Sequence, residues 1–239
     1  MPRKSDKKVA LVTGASRGIG LAIADRLAAS GFDVVLSARS ADQLKSAAKS
    51  IAKHGNDVLA HGCDVRDERS VDQLFAALKR RFGRLDVLVN NAGFAGELKK
   101  IDELPAELWR QTLETNLTGT FLCTRAALPL MRRGGTIVNN LSVAAKRTFP
   151  GMAAYVASKH GAMGFTLTLR DELQPKGIRV IALMPGATDT DIWNHFWPDA
   201  PRARMMSPES VASAVVNAIL LPDNATVEEL LIAPTAGAL

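Results

Sequence analysis

From residue 9 onward the chain alternates short apolar runs with longer amphipathic stretches. Seven runs read as strands: Val9–Thr13, Val34–Ser37, Val58–His61, Val87–Asn90, Thr136–Asn140, Arg179–Met184 and Leu230–Ala233. They are β-branched or uniformly apolar, the pattern of strands covered on both faces. Between them, apolar residues recur at helical spacing over Ile19–Ser30, Ala41–His54, Glu68–Phe82, Pro105–Arg132 and Ala153–Gln174, and from Ser207 to about Leu220. Gly31, Gly55 and Gly83 stand where helices stop, and Pro129 is expected to bend or end the long fourth helix. Ser207-Pro208-Glu209 opens the last helix with a capping hydroxyl, a proline and an acid. Repeated βαβ units predict an α/β chain with a parallel sheet between two helical layers. No linker divides residues 1–239, so one domain is expected, with a basic tail at 1–8. Ala187–Met206 is the one long irregular stretch.

Composition changes this picture little. At 239 residues, 47% hydrophobic and 23% charged, the chain matches ordinary globular proteins. No apolar run is long enough to span a membrane, and the basic start leads into too short an apolar run for a signal peptide. A cytoplasmic protein is expected. Cys63 and Cys123, 60 residues apart, form neither a metal spacing nor a disulfide framework and read as buried thiols. The net charge of +6 lacks the basic, aromatic-interleaved block of a nucleic-acid binder. A small anionic ligand accounts for it more simply, since a positive field also steers phosphates.

The turn Thr13–Gly20 joins the first strand to the first helix and carries Gly14, Ser16, Arg17, Gly18, Ile19 and Gly20. Glycines there let backbone N–H groups approach a pyrophosphate at a helix N-terminus. In dinucleotide folds an acid after the second strand grips the adenosine ribose. Here that stretch reads Leu36-Ser37-Ala38-Arg39-Ser40. Arg39 and Arg17 in place of an acid favour NADP(H) over NAD(H), because arginine suits a 2′-phosphate.

Tyr155, the only tyrosine, precedes Lys159 by one helical turn. On a shared face the ammonium is expected to lower the phenol's pKa and equip it for acid/base work. Ser142 and Asn91 follow strand ends, where open α/β sheets bind ligands. Asn116 lies inside the fourth helix, read either as a satisfied polar side chain or as a carbonyl holding water beside Lys159. Asp189, Asp191 and His195 match no strong metal pattern, so no metal site is expected.

Taken together, Thr13–Gly20, Asp64-Val65, Asn90–Gly93, Asn116, Ser142, Tyr155 with Lys159, and Pro185-Gly186 occur in one order with fixed spacing. In these the chain resembles the short-chain dehydrogenase/reductase family from Val9 to about Ala233. The resemblance implies a doubly wound Rossmann-type sheet in the order 3-2-1-4-5-6-7. It implies Tyr155 as general acid/base, Lys159 as its partner and a ligand of the nicotinamide ribose, Ser142 beside the carbonyl oxygen, and Asn116 in a proton relay. The glycine turn would hold the cofactor's phosphates and Arg39 its 2′-phosphate. Asp64 and Val65 would meet adenine, Asn91, Ala92 and Gly93 the ribose side, and Pro185, Gly186, Thr188 and Thr190 the nicotinamide. Homodimers or homotetramers through the fourth and fifth helices are implied as well.

Substrate contacts are expected from Phe94, Val143, Phe149, Trp193 and Trp197, with Phe196 in the same loop as lid or packing. Two departures stand out: Asn140 near the site, and a C-terminus from Ala233 without the Asp-Gly-Gly ending of many acyl-thioester reductases. The expected activity is carbonyl reduction, reversible as alcohol oxidation. The alternatives are a 3-oxoacyl-thioester reductase and a dinucleotide sensor without catalysis.

Overall fold

The apolar runs assemble into a single sheet in a computed structural model that describes residues 7–237. Strands β1 (Val9–Thr13), β2 (Asp33–Ala38), β3 (Val58–Gly62), β4 (Val87–Asn90), β5 (Thr136–Asn140), β6 (Arg179–Pro185) and β7 (Glu229–Ile232) lie in the order 3-2-1-4-5-6-7. All neighbours are parallel. Strands β1 and β4 are buried at every residue, as continuous apolar runs require when both faces are covered.

One face packs against α1 (Gly18–Ala29), α2 (Ala41–Ile51) and α8 (Pro208–Ile219), through Ile23, Leu27, Leu44, Val215 and Val216. The other packs against α3 (Glu68–Arg81), α5 (Gly119–Ala127) and α6 (Ala153–Leu173), through Leu74, Leu78, Cys123, Leu169 and Leu173. Three helices are capped from their own sequence. Ser40, Asp67 and Ser207 accept from the backbone N–H groups of Gln43, Arg69 and Ser210. Helix α1 has no side-chain cap and no acid in its first turn. Its N-terminal donors therefore remain available at the carboxyl edge of the sheet.

The fourth helix departs from the expected Pro105–Arg132. It begins as α4 (Ala106–Leu113), passes through a π turn at Glu114–Thr118 and continues as α5, with a 3-10 turn at Leu128–Leu130. In the π turn Gly119 N–H donates to the carbonyl of Glu114, five residues back. Asn116 is its central residue and is buried. The stretch 187–206 is less irregular than its sequence suggests. It holds the short α7 (Trp193–Phe196), a 3-10 turn at Arg202–Arg204, and a bridge between Thr188 and Met206. Residues 1–6 of the basic tail, and the side chains of His195 and Phe196, lie outside the described residues.

Candidate active site

The carboxyl ends of β1, β2, β4, β5 and β6 open into one cleft of about 910 Å³. Its floor at β1 is the glycine turn. Gly14 and Gly18 have φ of 63° and 56°, a region L side chains rarely enter. A Cβ on Gly14 would meet the Ala92 backbone at 2.9 Å, and one on Gly20 would meet Asn91 Nδ2 at 2.3 Å. Two loops can therefore meet only because these positions carry no side chain.

Asn91 is the clamp at that meeting point. Its Nδ2 donates to Thr13 O at 2.9 Å and Gly14 O at 3.2 Å. Its Oδ1 then accepts from Asn140 Nδ2 at 2.8 Å. This leaves Asn140 Oδ1 buried and without a partner in the protein. The main-chain carbonyl of Asn140 accepts from Lys159 Nζ at 2.9 Å. Asn140, a departure from the family pattern, thus links the glycine turn to the buried lysine.

Tyr155 and Lys159 share the inner face of α6, with the Lys159 nitrogen 5.6 Å from the centre of the Tyr155 ring. Ser142 lies within hydrogen-bonding reach of the Tyr155 hydroxyl, and its Oγ accepts from Ala144 N–H at 3.1 Å. The expected lowering of the phenol is not what these surroundings produce. Burial pushes the Tyr155 phenol above its usual value, and the Ser142 hydrogen bond only partly opposes it. Burial also pulls the Lys159 ammonium down to about 8, since an apolar surrounding disfavours its charge.

Asn116 stands apart from the other expected residues because it does not line the cleft. Its side chain is fully engaged behind the wall. Oδ1 accepts from Phe94 N–H at 2.8 Å, while Nδ2 donates to Phe94 O at 2.8 Å and Ser158 Oγ at 2.9 Å. Its main-chain carbonyl accepts from the Thr120 hydroxyl at 2.9 Å. Gly93 bridges the two zones: a Cβ there would sit 3.6 Å from Asn116 Oδ1 and 3.9 Å from Lys159 Nζ.

The remaining expected residues all line the cleft. They are Ser16, Arg17, Ile19, Arg39, Asp64, Val65, Ala92, Pro185, Gly186, Thr188 and Thr190 on the ligand side, with Phe94, Val143, Phe149, Trp193 and Trp197 on the other. Arg17 is ion-paired with Asp191 at 3.0 Å. Arg39 is exposed at the end of β2. Asp64 is held by the Arg66 fork, which keeps its carboxyl below the usual range, hydrogen bonding outweighing burial. Trp193 Nε1 donates to Thr188 O at 2.8 Å and its ring lies 6.1 Å from that of Trp197. Asp189 is paired with Arg202 at 2.8 Å.

Sequence reasoning missed three contributors. Ser158 lies inside the Tyr155–Lys159 stretch, three residues after Tyr155, and its fully buried hydroxyl donates to Tyr155 O at 2.7 Å. Arg66 follows Asp64 by two residues, a spacing that reads as loop. Arg147 lies between Ser142 and Tyr155 and lines the cleft.

Comparison with known proteins agrees with this architecture. The model of the short chain dehydrogenase family matches residues 8–201. The chain belongs to that family. A 3beta-hydroxysteroid dehydrogenase of Mediterraneibacter gnavus is 41% identical, over 78% of this chain and 68% of the relative. A 3-oxoacyl-[acyl-carrier-protein] reductase of Synechocystis is 40% identical, over 87% of each chain. The alcohol dehydrogenase of the archaeon Thermococcus sibiricus, solved with 5-hydroxy-NADP, superposes with a TM-score of 0.91. It is 35% identical, with 97% of this chain and 98% of that one covered. This short-chain dehydrogenase is an oxidoreductase built on the Rossmann-type sheet described above.

Proposed function

We propose that this dehydrogenase is a single-domain, NADP(H)-dependent carbonyl reductase, reversible as a secondary-alcohol dehydrogenase. The observation that carries the reading is one cleft holding the Tyr155 hydroxyl, Ser142 and Lys159 opposite an uncapped helix N-terminus. The cleft fits a dinucleotide. Its glycine turn has no room for side chains, so backbone N–H groups line that wall where a pyrophosphate would sit. Arg39 lines the cleft at the end of β2 with no ion pair within contact distance among the described residues, and the carboxylate whose charge it feels, Asp64, is already gripped by Arg66, which supports a 2′-phosphate there. When bound, the nicotinamide supplies hydride to the carbonyl carbon.

The chain's own residues supply the rest. Tyr155 gives its proton to the carbonyl oxygen, and its raised pKa keeps it protonated, hence ready, at neutral pH. Ser142 donates to the same oxygen as negative charge develops there. Lys159 holds the nicotinamide ribose and passes protons toward Tyr155. Asn116 acts as a positioning residue through Phe94 and Ser158. The backbone of Gly14 to Gly20 cradles the phosphates, with Asp64 and Val65 at the adenine. Asn91, Ala92 and Gly93 line the ribose, and Pro185, Gly186, Thr188 and Thr190 the nicotinamide. Phe94, Val143, Phe149, Trp193 and Trp197 wall the substrate end.

A second reading, a 3-oxoacyl-thioester reductase, is favoured by the Synechocystis relative. Both predict NADPH consumption, and a panel of ketones, aldehydes and 3-oxoacyl thioesters separates them. Tyr155→Phe tests both against a non-catalytic sensor. Turnover should fall at least a thousandfold with NADPH affinity within a few-fold of the original. Retained turnover removes Tyr155 from the chemistry. Trp109, Phe121 and Leu167 expose apolar surface on α4, α5 and α6, which supports a homodimer or homotetramer through these helices. No helix among the described residues is long and apolar enough to cross a membrane. Its two cysteines are free and buried, which supports a cytoplasmic enzyme.

A further inference from the structure

The charged groups of the cleft do not balance. Its described lining contains five cationic side chains, Arg17, Arg39, Arg66, Arg147 and Lys159, against two carboxylates, Asp64 and Asp191. Both carboxylates are already taken. Arg66 grips Asp64 with contacts of 2.6 and 3.0 Å, and Arg17 holds Asp191 at 3.0 Å. Lys159 donates to Asn140 O. Two guanidinium groups, those of Arg39 and Arg147, are left with no hydrogen-bonding or ion-pair partner among the described residues.

The two stand in different parts of the cleft. Arg39 lies between β2 and α2, where the adenosine phosphate is proposed above. Arg147 follows the 3-10 turn Val143–Ala145 that begins at Ser142, so it belongs to the loop carrying the reacting end. Its backbone is fixed there, its N–H donating to Val143 O at 3.0 Å. The adjacent cation, Lys146, is tied to Glu229, and Lys99 across the loop is tied to Glu97. Of the cations around the substrate loop, Arg147 is thus the one that both lines the cleft and keeps its fork free. Val143 and Phe149, four residues before it and two after, line the same cleft, as do Trp193 and Trp197. Arg147 is itself exposed, so its field meets an incoming anion through solvent and is open to screening by salt. A planar fork also favours bidentate acceptors over neutral ones.

We propose that Arg147 is a specificity residue that selects carbonyl substrates bearing a remote anionic group, a carboxylate or a phosphate. This rests on the carbonyl-reductase reading and names its substrate class. The anion would pair with the guanidinium while the hydrocarbon between it and the carbonyl lies against Phe149 and the two tryptophans.

The test measures kcat and KM of the full-length enzyme with NADPH on oxo acids, their methyl esters and oxo-alkyl phosphates of matched carbon skeleton. The native enzyme should favour an anionic substrate over its ester at least tenfold in kcat/KM, chiefly through KM. That ratio should shrink as salt is raised. Arg147→Gln should bring the ratio to within about twofold, and Arg147→Lys should restore part of it. Carboxylate and phosphate arms identify which anion is preferred. Turnover of esters without any preference for anions overturns the role of Arg147 and leaves the reductase reading standing. A preference that survives Arg147→Gln does the same. No turnover of any carbonyl compound rejects the reductase reading itself, and the proposal with it.

Discussion

Asn116 donates through Nδ2 to Ser158 Oγ at 2.9 Å, and Ser158 donates in turn to the carbonyl of Tyr155 at 2.7 Å. The π turn and helix α6 are therefore joined by a buried polar chain that ends on the backbone of the proposed acid/base residue. Removing the Ser158 hydroxyl leaves one N–H of Asn116 buried and unpaired. Such a loss costs about 1–3 kcal/mol. Ser158→Ala should lower the urea midpoint accordingly and reduce kcat more than it changes the KM for NADPH. A variant with both stability and kcat unchanged would show that Ser158 positions nothing.

A Cβ on Gly20 would stand 2.3 Å from Asn91 Nδ2 and 2.5 Å from Gly14 O. Neither neighbour is free to yield. Asn91 is held by Thr13, Gly14 and Asn140, and Gly14 O is backbone of the turn itself. Gly20→Ala must displace the glycine turn rather than a flexible side chain. NADPH affinity should drop at least tenfold by direct titration, together with a fall in Tm. Native affinity in this variant would mean that the turn tolerates the shift and does not shape the phosphate site.

How much of this was legible beforehand depended on whether the signal was local. Strand positions and the glycine turn were legible because apolar runs and missing Cβ atoms leave their mark at each position, whereas the strand order was legible only through the family resemblance. The π turn was not. One extra residue in Glu114–Thr118 leaves helical spacing nearly intact, so Pro105–Arg132 reads as continuous. Asn116 was picked out by residue type and family pattern, yet its engagement with Phe94 is a contact between residues 22 apart. The i to i+4 spacing did bring Lys159 beside Tyr155. The direction of the phenol's shift was misjudged, because spacing reports the neighbour and not the depth of burial. Arg147 passed unnoticed since nothing in its sequence context distinguishes a free guanidinium from a paired one.

The proposed preference for NADP(H) rests on Arg39. It lines the cleft without an ion pair, and the stretch Ser37-Ala38-Arg39-Ser40 at this strand end carries no acid, while Asp64 nearby is taken by Arg66. A charge-assisted contact to phosphate contributes about 1.5–3 kcal/mol. Arg39→Ala should weaken NADPH binding about 10- to 100-fold while leaving NADH within a few-fold. Measured Kd values for both cofactors in both proteins decide it. An equal loss for NADPH and NADH would place Arg39 away from the 2′-phosphate.

Lys159 links the site to stability through pH. Burial holds its ammonium at about 8, against about 10.4 for an exposed lysine in the unfolded chain. Below pH 8 both states carry the proton, and folding bears the full cost of burying the charge. Between these two values the unfolded chain binds more protons than the folded one, so stability rises with pH. Above the upper value the gain is complete. The shift corresponds to about 3 kcal/mol at most. Lys159→Met lacks this group, and comparing the two proteins by urea unfolding without cofactor isolates its titration. The native protein should then gain on the variant by up to about 3 kcal/mol from pH 8 to 10.5. Taking the difference between the two cancels the other lysines, which titrate alike in both. A difference that stays flat across that interval would mean that the ammonium keeps an ordinary pKa, stabilised within the cleft rather than penalised by it.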